Sequence, residues 1–216
     1  MANQETAYGL RPVCLLGAGA NTTRLNKYEI ASNNTNAIYQ YSIVVPTSNG
    51  VIDQAGATDG GTVAALGVLM GVEYVDSTTK KVVWKNYWPG SSAVAVDTNY
   101  PVKALVADDP LQVFQVATDA SITDRATAVL GIFANASLGT SARTGSTANG
   151  RSNSALSVSS IATTATLPLK IIGIVDDAAN SDYTAAGIPL LVRLNAHYNS
   201  PNARFDSQTT APTTGI

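Results

Sequence analysis

Val63-Ala64-Ala65-Leu66-Gly67-Val68-Leu69-Met70-Gly71-Val72-Glu73-Tyr74-Val75 is the longest apolar stretch of the chain, and its reading decides the fold. With Glu73 inside it, the stretch is too short to cross a bilayer as a helix, which needs about 20 apolar residues. It has the length of two strands or one bent strand, with Gly67 and Gly71 as the bulge or kink points. Downstream, Asp76-Ser77-Thr78-Thr79 is turn-forming, and Lys80 and Lys81 open the alternation KKVVWKNYW, closed by Pro89-Gly90. Together these segments predict a β-hairpin. Upstream, Ala37 to Val45 (AIYQYSIVV) places β-branched and aromatic residues largely at period two. Pro46 ends it, and Asn49-Gly50 carries the positive-φ chemistry of a tight turn.

The pattern continues outward. Ala93 to Val96, Pro101 to Ala107, Leu111 to Ala117, Leu167 to Asp176 and Pro189 to Tyr198 read as further short strands separated by turn clusters about every ten residues. The expected fold is all-β, a barrel or sandwich of jelly-roll type. One segment, Ser121 to Phe133, reads either as a short helix capped by Ser121 and Asp124 or as a loop leading into a strand. No fixed-period repeat is present. Residues 1–30 show no clear period and read as an N-terminal arm, 31–199 as the β domain, and 200–216 as a loose C-terminal tail. Within the domain, 139–154 is rich in Ser, Thr and Gly and reads as a flexible exposed loop.

Composition excludes several classes. Of 216 residues only 13% are charged, about half the usual share, and the net charge is −2. That density is too low for a nucleic-acid binder, which displaces counterions with a stripe of Lys and Arg. An apolar content of 45% and a mean hydropathy of +0.08 are too high for a disordered chain. In place of charge the chain has 32 Ala, 42 Ser plus Thr and 16 Asn, a surface of hydroxyls and amides. The start, MANQETAYGL, has neither a basic nor an apolar signal region, so no secretion signal is expected, and the chain is expected to remain soluble where it is made.

Catalytic arrangements are missing from the residue pattern. A lone Cys14 between Val13 and Leu15 excludes an intramolecular disulfide and any multi-cysteine zinc site, and reads as a small buried hydrophobe. A single histidine, His197, excludes paired-histidine metal motifs and reads as a hydrogen-bonded structural residue. Leu15 to Asn21 (LLGAGAN) lacks the third glycine and the βαβ setting of a dinucleotide loop. Asp108-Asp109 and Asp176-Asp177 read as turn carboxylates, because neighbours on a strand point to opposite faces. No enzyme and no cofactor are expected. Trp84 and Trp88 share parity on one strand, so their rings are expected on one face, as an interface, a core anchor or a sugar platform.

Tyr8-Gly9-Leu10-Arg11-Pro12-Val13, after a short polar leader, resembles the start of small structural proteins of tailed phages, notably those of cyanobacteria and marine bacteria. Further similarity lies in Leu111-Gln112-Val113-Phe114-Gln115-Val116, followed by a polar turn and Ser121-Ile122-Thr123-Asp124. Asn149-Gly150-Arg151-Ser152, Leu169-Lys170-Ile171-Ile172-Gly173 and Val192-Arg193-Leu194-Asn195-Ala196-His197 complete it. The resemblance implies a capsid decoration or cement protein on the outside of the phage head, assembled in the host cytoplasm. It implies the major capsid protein as partner and self-association as a homotrimer, with no direct nucleic acid and no membrane contact. An N-terminal arm would lie along the shell, with Tyr8, Leu10, Arg11, Pro12, Val13 and Leu15 as its contacts. The same residues also read as a first β-strand packed on its own core. A phage tail, fibre or baseplate component and a carbohydrate-binding module on Trp84 and Trp88 are the alternative functions.

Overall fold

The computed structural model describes residues 3–4, 6–17, 24–55, 65–125, 133–139, 144–164 and 166–200. In chain order its strands are β1 (Arg11–Leu15), β2 (Leu25–Ile30), β3 (Ile43–Pro46), β4 (Ile52–Gln54), β5 (Gly67–Val75), β6 (Val82–Lys85), β7 (Val102–Ala107) and β8 (Gln112–Ala117). They continue with β9 (Asn135–Ala136), β10 (Leu138–Gly139), β11 (Gly145–Ser146), β12 (Arg151–Ser152), β13 (Ala155–Leu156), β14 (Leu169–Ile174) and β15 (Pro189–Leu194). One sheet has the order β1-β8-β15-β14-β9. The other has the order β2-β7-β5-β3-β4, with β6 added to the second half of β5. Every pairing between these strands is antiparallel. The chain is all-β as expected, and the sheets form a sandwich rather than a closed barrel.

The apolar stretch around Leu69 is a single strand, β5, and it sits inside the six-stranded sheet with both faces buried over much of its length. Val68 faces a core shared with the five-stranded sheet, which includes Leu10, Ile43, Phe114, Val116, Leu169, Ile171, Leu190 and Val192. Leu69 faces a second core, formed with Ile30, Ile38, Val44, Trp88, Val102, Ala104 and Val106. The strict two-residue alternation would then aim Val72 and Tyr74 back at the first core and turn Glu73 into the second. A bulge between Leu69 and Gly71 prevents this: Leu69 pairs with Val106 and Gly71 with Leu105, so Met70 is the extra residue. After it, Val72 and Tyr74 join Leu69 in the second core and Glu73 is on the outer side. Gly71 is one of the two kink points expected from sequence.

The β5–β6 hairpin also forms as read. Asp76 caps its turn, its Oδ1 accepting from the backbone N–H groups of Thr78 and Thr79 at 2.9 and 2.7 Å. Those bonds hold its carboxyl below the usual range. By contrast, the Ala37–Val45 segment is a regular strand only from Ile43, and Ile38 and Gln40 make single bridges to Trp88 and Arg151. Tyr41 takes a positive φ of 70°, which breaks the strand before Ile43.

Two expectations about domain organisation are corrected. Residues 11–15 and 25–30, expected within a free arm, are β1 and β2, one strand in each sheet. Residues 144–154, expected within a flexible loop, hold the β11–β12 hairpin, whose Gly150 N–H donates to the Ser146 carbonyl at 2.6 Å. Residues 140–143, the tail beyond 200 and most of the 121–133 helix candidate lie outside the described residues. Glycine is what lets the hairpin dock. Tyr39 and Tyr87 stack with ring centroids 5.4 Å apart, and Gly145 lies against the Tyr39 ring. A Cβ there would sit 2.5 Å from the Arg151 carbonyl oxygen and closer still to the Tyr39 ring. Gly145→Ala is therefore expected to lower the unfolding free energy by about 1–3 kcal/mol, read as a lower midpoint in urea with an unchanged m-value.

Candidate functional site

Among the described residues a concavity forms where the N-terminal segment crosses the β11–β12 hairpin. It has a volume of about 310 Å³ and is lined by Tyr8, Arg11, Tyr41, Asn149, Arg151 and Asn153, together with Gln4, Thr6, Ala7 and Ser152. Backbone bonds build it. Gly9 N–H donates to Ser154 O at 2.8 Å, Leu10 N–H to Tyr41 O at 2.9 Å, and Ser152 N–H to Gln40 O at 2.9 Å. Gly9 has φ of +82°, and a Cβ on it would lie 2.9 Å from the Cβ atoms of Ser152 and Tyr41, so a side chain would push the segment off the hairpin. Arg11 is held from two directions: its Nη2 donates to Gln115 Oε1 at 2.7 Å, and its guanidinium stands 5.3 Å from the Tyr8 ring centroid. The groove thus offers two guanidinium groups and several amides to a polar partner.

The six residues expected as arm contacts meet different fates. Tyr8 and Arg11 line the groove, while Pro12, Val13 and Leu15 are half-buried in β1, the edge strand against β8. Leu10 is fully buried in the first core, so it cannot be a contact. The reason is energetic: an apolar side chain of this size gains about 2 kcal/mol by leaving water, and its own sheet is the nearest place to do so. Pro12 and the bulge between Pro12 and Cys14 leave β1 poorly suited to further strand pairing. Cys14 is half-buried, and its carbonyl accepts from Gln112 Nε2 at 2.8 Å.

The two tryptophans do not share a face. Trp88 is fully buried in the second core, edge-on to Tyr74 at 5.8 Å, with Nε1 donating to Asn34 O at 3.1 Å. Trp84 is 58% exposed on β6. Strand parity fails here because β6 ends at Lys85 and the chain bends through Asn86 and Tyr87 before Trp88. The paired sugar platform therefore does not form.

A polar cluster surrounds Asp108, which is buried at the end of β7. Its carboxylate accepts from Asn26 Nδ2 at 3.0 Å, from Asn199 Nδ2 at 3.2 Å and from the Tyr28 hydroxyl. Burial, and then the bond to Asp108, push the Tyr28 phenol up. Asp109 instead accepts from Leu111 N–H at 2.8 Å, Asp176 pairs with Arg125, and Asp177 accepts from Ala179 N–H at 3.0 Å. Asp109 and Asp177 thus cap turns as read, whereas Asp108 is a buried acceptor of side-chain bonds and Asp176 is in an ion pair; among the described residues no three metal-ligating side chains converge. His197 is 2% exposed; its Nδ1 accepts from Asn199 N–H at 3.1 Å, and its Nε2 has no partner. Burial pulls its pKa below the ordinary 6.5, against the attraction of Asp108 and Asp109.

No protein-family model, curated protein or solved structure matches the chain. Hence the site is read from its own geometry.

Two outcomes are expected. Leu10→Ala should cost about 2–5 kcal/mol of stability, so that chemical denaturation shows a folded but weakened domain. Below about pH 6.5 the unfolded chain takes up a proton at His197 that the folded chain resists, so stability present above that pH is lost as pH falls. A His197→Gln variant should show a flatter decline of the urea midpoint between roughly pH 7 and pH 5; an identical decline would remove His197 as its source.

Proposed function

We propose that this chain is a virion structural protein, a capsid decoration or cement protein that binds the outside of a phage head and bridges neighbouring major capsid subunits. One observation carries the reading. Segments far apart in sequence that share the phage-protein resemblance converge on one structural unit. Those at 8–13, 111–116, 169–173 and 192–197 supply β1, β8, β14 and β15, four adjacent strands of one sheet. The segment at 149–152 supplies the hairpin that meets Tyr8 and Arg11 in the groove. Packed into one sheet with one groove at its edge, these segments brace one another and give a rigid surface of the kind a capsid contact uses.

The architecture suits a clamp. Packed DNA pushes capsomers apart, and a rigid β domain attached on both sides of a seam must detach before the seam opens. Joining several modest contacts in one oligomer gains roughly 10²–10⁴ in avidity without any new contact type. A homotrimer is the proposed assembly, and the major capsid protein the proposed partner.

The test combines light scattering with sedimentation against purified shells that lack this protein. The expected result is a particle of three times 22.3 kDa that pellets with the shells and raises the temperature at which they release DNA. Protein that stays in the supernatant beside intact shells would remove the reading.

A further inference from the structure

One end of the sandwich gathers apolar side chains that neither core takes up. The β1–β8 ladder runs one bond further there, Leu16 N–H donating to Leu111 O at 2.8 Å. The connection from β7 to β8, residues 108–111, crosses the same end, and β2 starts there with Leu25 paired to Ala107. The chain leaves β15 beside them: Asn199 Nδ2 donates to the Asp108 carbonyl at 3.5 Å and to its Oδ2 at 3.2 Å. Leu16, Leu25, Leu111 and Tyr198 are 40–49% exposed, four of the eight large apolar side chains exposed among the described residues.

That end is held rigidly. Buried Asp108 ties three elements together, because Asn26 and Tyr28 of β2 and Asn199 of the exit segment all donate to its carboxylate. Asp109 fixes the turn beyond it, Oδ1 accepting from Leu111 N–H at 2.8 Å and its carbonyl from Gln112 N–H at 3.0 Å. Pro110, between Asp109 and Leu111, restricts the backbone further. Exposed leucines carried on such a frame have little freedom left to lose when a partner covers them.

Charge at this end is balanced rather than one-sided. Arg24, next to Leu25, is exposed, and Asp109, two residues before Leu111, is half-buried. Neither has an ion-pair partner among the described residues. A partner of one sign is met by a surface of the opposite sign. An apolar end bordered by one unpaired cation and one unpaired anion is instead complementary to itself, and the occupant it fits is a second copy of this chain.

We propose that this end, with Leu16, Leu25 and Leu111 at its centre, is the contact between copies in the homotrimer, and that Arg24 of each copy pairs with Asp109 of the next. A head-to-tail contact closes into a ring when its rotation fits, and every copy then uses its Arg24 once and its Asp109 once. The inference rests on the homotrimer reading above and adds the contact face and the residues that meet there. The groove, with Arg11 at the start of β1, is at the far end of that strand from Leu16 and stays open in such a trimer.

The experiment is light scattering of the full chain over a dilution series, comparing wild type with Leu111→Asp, Arg24→Glu, Asp109→Arg and the double charge swap. Trp84→Ala, exposed on β6, is the control. Wild type and Trp84→Ala should have three times the 22.3 kDa of one chain, and Leu111→Asp should fall to a monomer. Each charge reversal should raise the dissociation constant of the trimer about tenfold or more, and the double swap should recover most of the loss. That recovery separates lost pairing from the turn cap that Asp109→Arg also removes. Leu111→Asp and both charge reversals that stay trimeric on dilution overturn this face and leave the trimer standing. Equal weakening by Trp84→Ala overturns it as well. Phe205→Ser, altering the one aromatic residue after Ser200, tests the C-terminal segment as the occupant: a monomer there beside a trimeric Leu111→Asp overturns the proposal. Wild type that is a monomer overturns the trimer and this inference together, while sedimentation with shells reads the capsid contact separately.

Discussion

A strand buried on both faces has to find neighbours on both edges and a covered core on each side, and β5 imposes that requirement on the whole molecule. Its edges are satisfied by β7 along one side and by β3 and β6 in turn along the other. Its faces are satisfied by two separate cores, and the single extra residue at Met70 decides which side chain goes to which. Without the bulge, Glu73 would be directed into the second core, where an unpaired carboxylate costs several kcal/mol. With it, Glu73 reaches the outer side and meets Lys27. The bulge thus sets both the core and the open face beside it.

Among the described residues the two sheets are tied together by close approaches rather than by ion pairs. The chain enters through Gly9, whose positive φ lets the backbone pass against Tyr41 and Ser152, and Leu10 then seats in the first core. The β11–β12 hairpin closes over the Tyr39–Tyr87 stack because Gly145 and Gly150 have no side chains to hold it off. Both contacts bring Tyr8, Arg11 and Arg151 to one groove, although Arg151 is far from the others in sequence. A protein with only 13% charged residues depends on this kind of packing, since dispersion and excluded water act only at contact distance.

Much of this was legible in the chain, and the failures have identifiable causes. Period-two alternation located β5 to β8, β14 and β15, and Gly71 was read as a kink. The 144–154 segment looked mobile because its side chains are small and polar, yet Asn149-Gly150 between short polar runs is itself a hairpin signal. What the pattern lacked was the aromatic pair on which the hairpin rests, supplied from residues 39 and 87. For the tryptophans, parity held only as far as the strand did.

Sequence alone determined the class of this protein: alternating β-branched and aromatic residues, glycine-marked turns and sparse charge allow little besides an all-β barrel or sandwich with a polar, weakly charged surface. These are local properties, set by what each residue and its near neighbours do to the backbone. Only the tertiary structure decided that Leu10 is core, that Trp88 is buried while Trp84 is exposed, and that the sandwich is not closed into a barrel. Each of those depends on which strands become neighbours. That choice is made by burying two cores at once, and no window of sequence contains it.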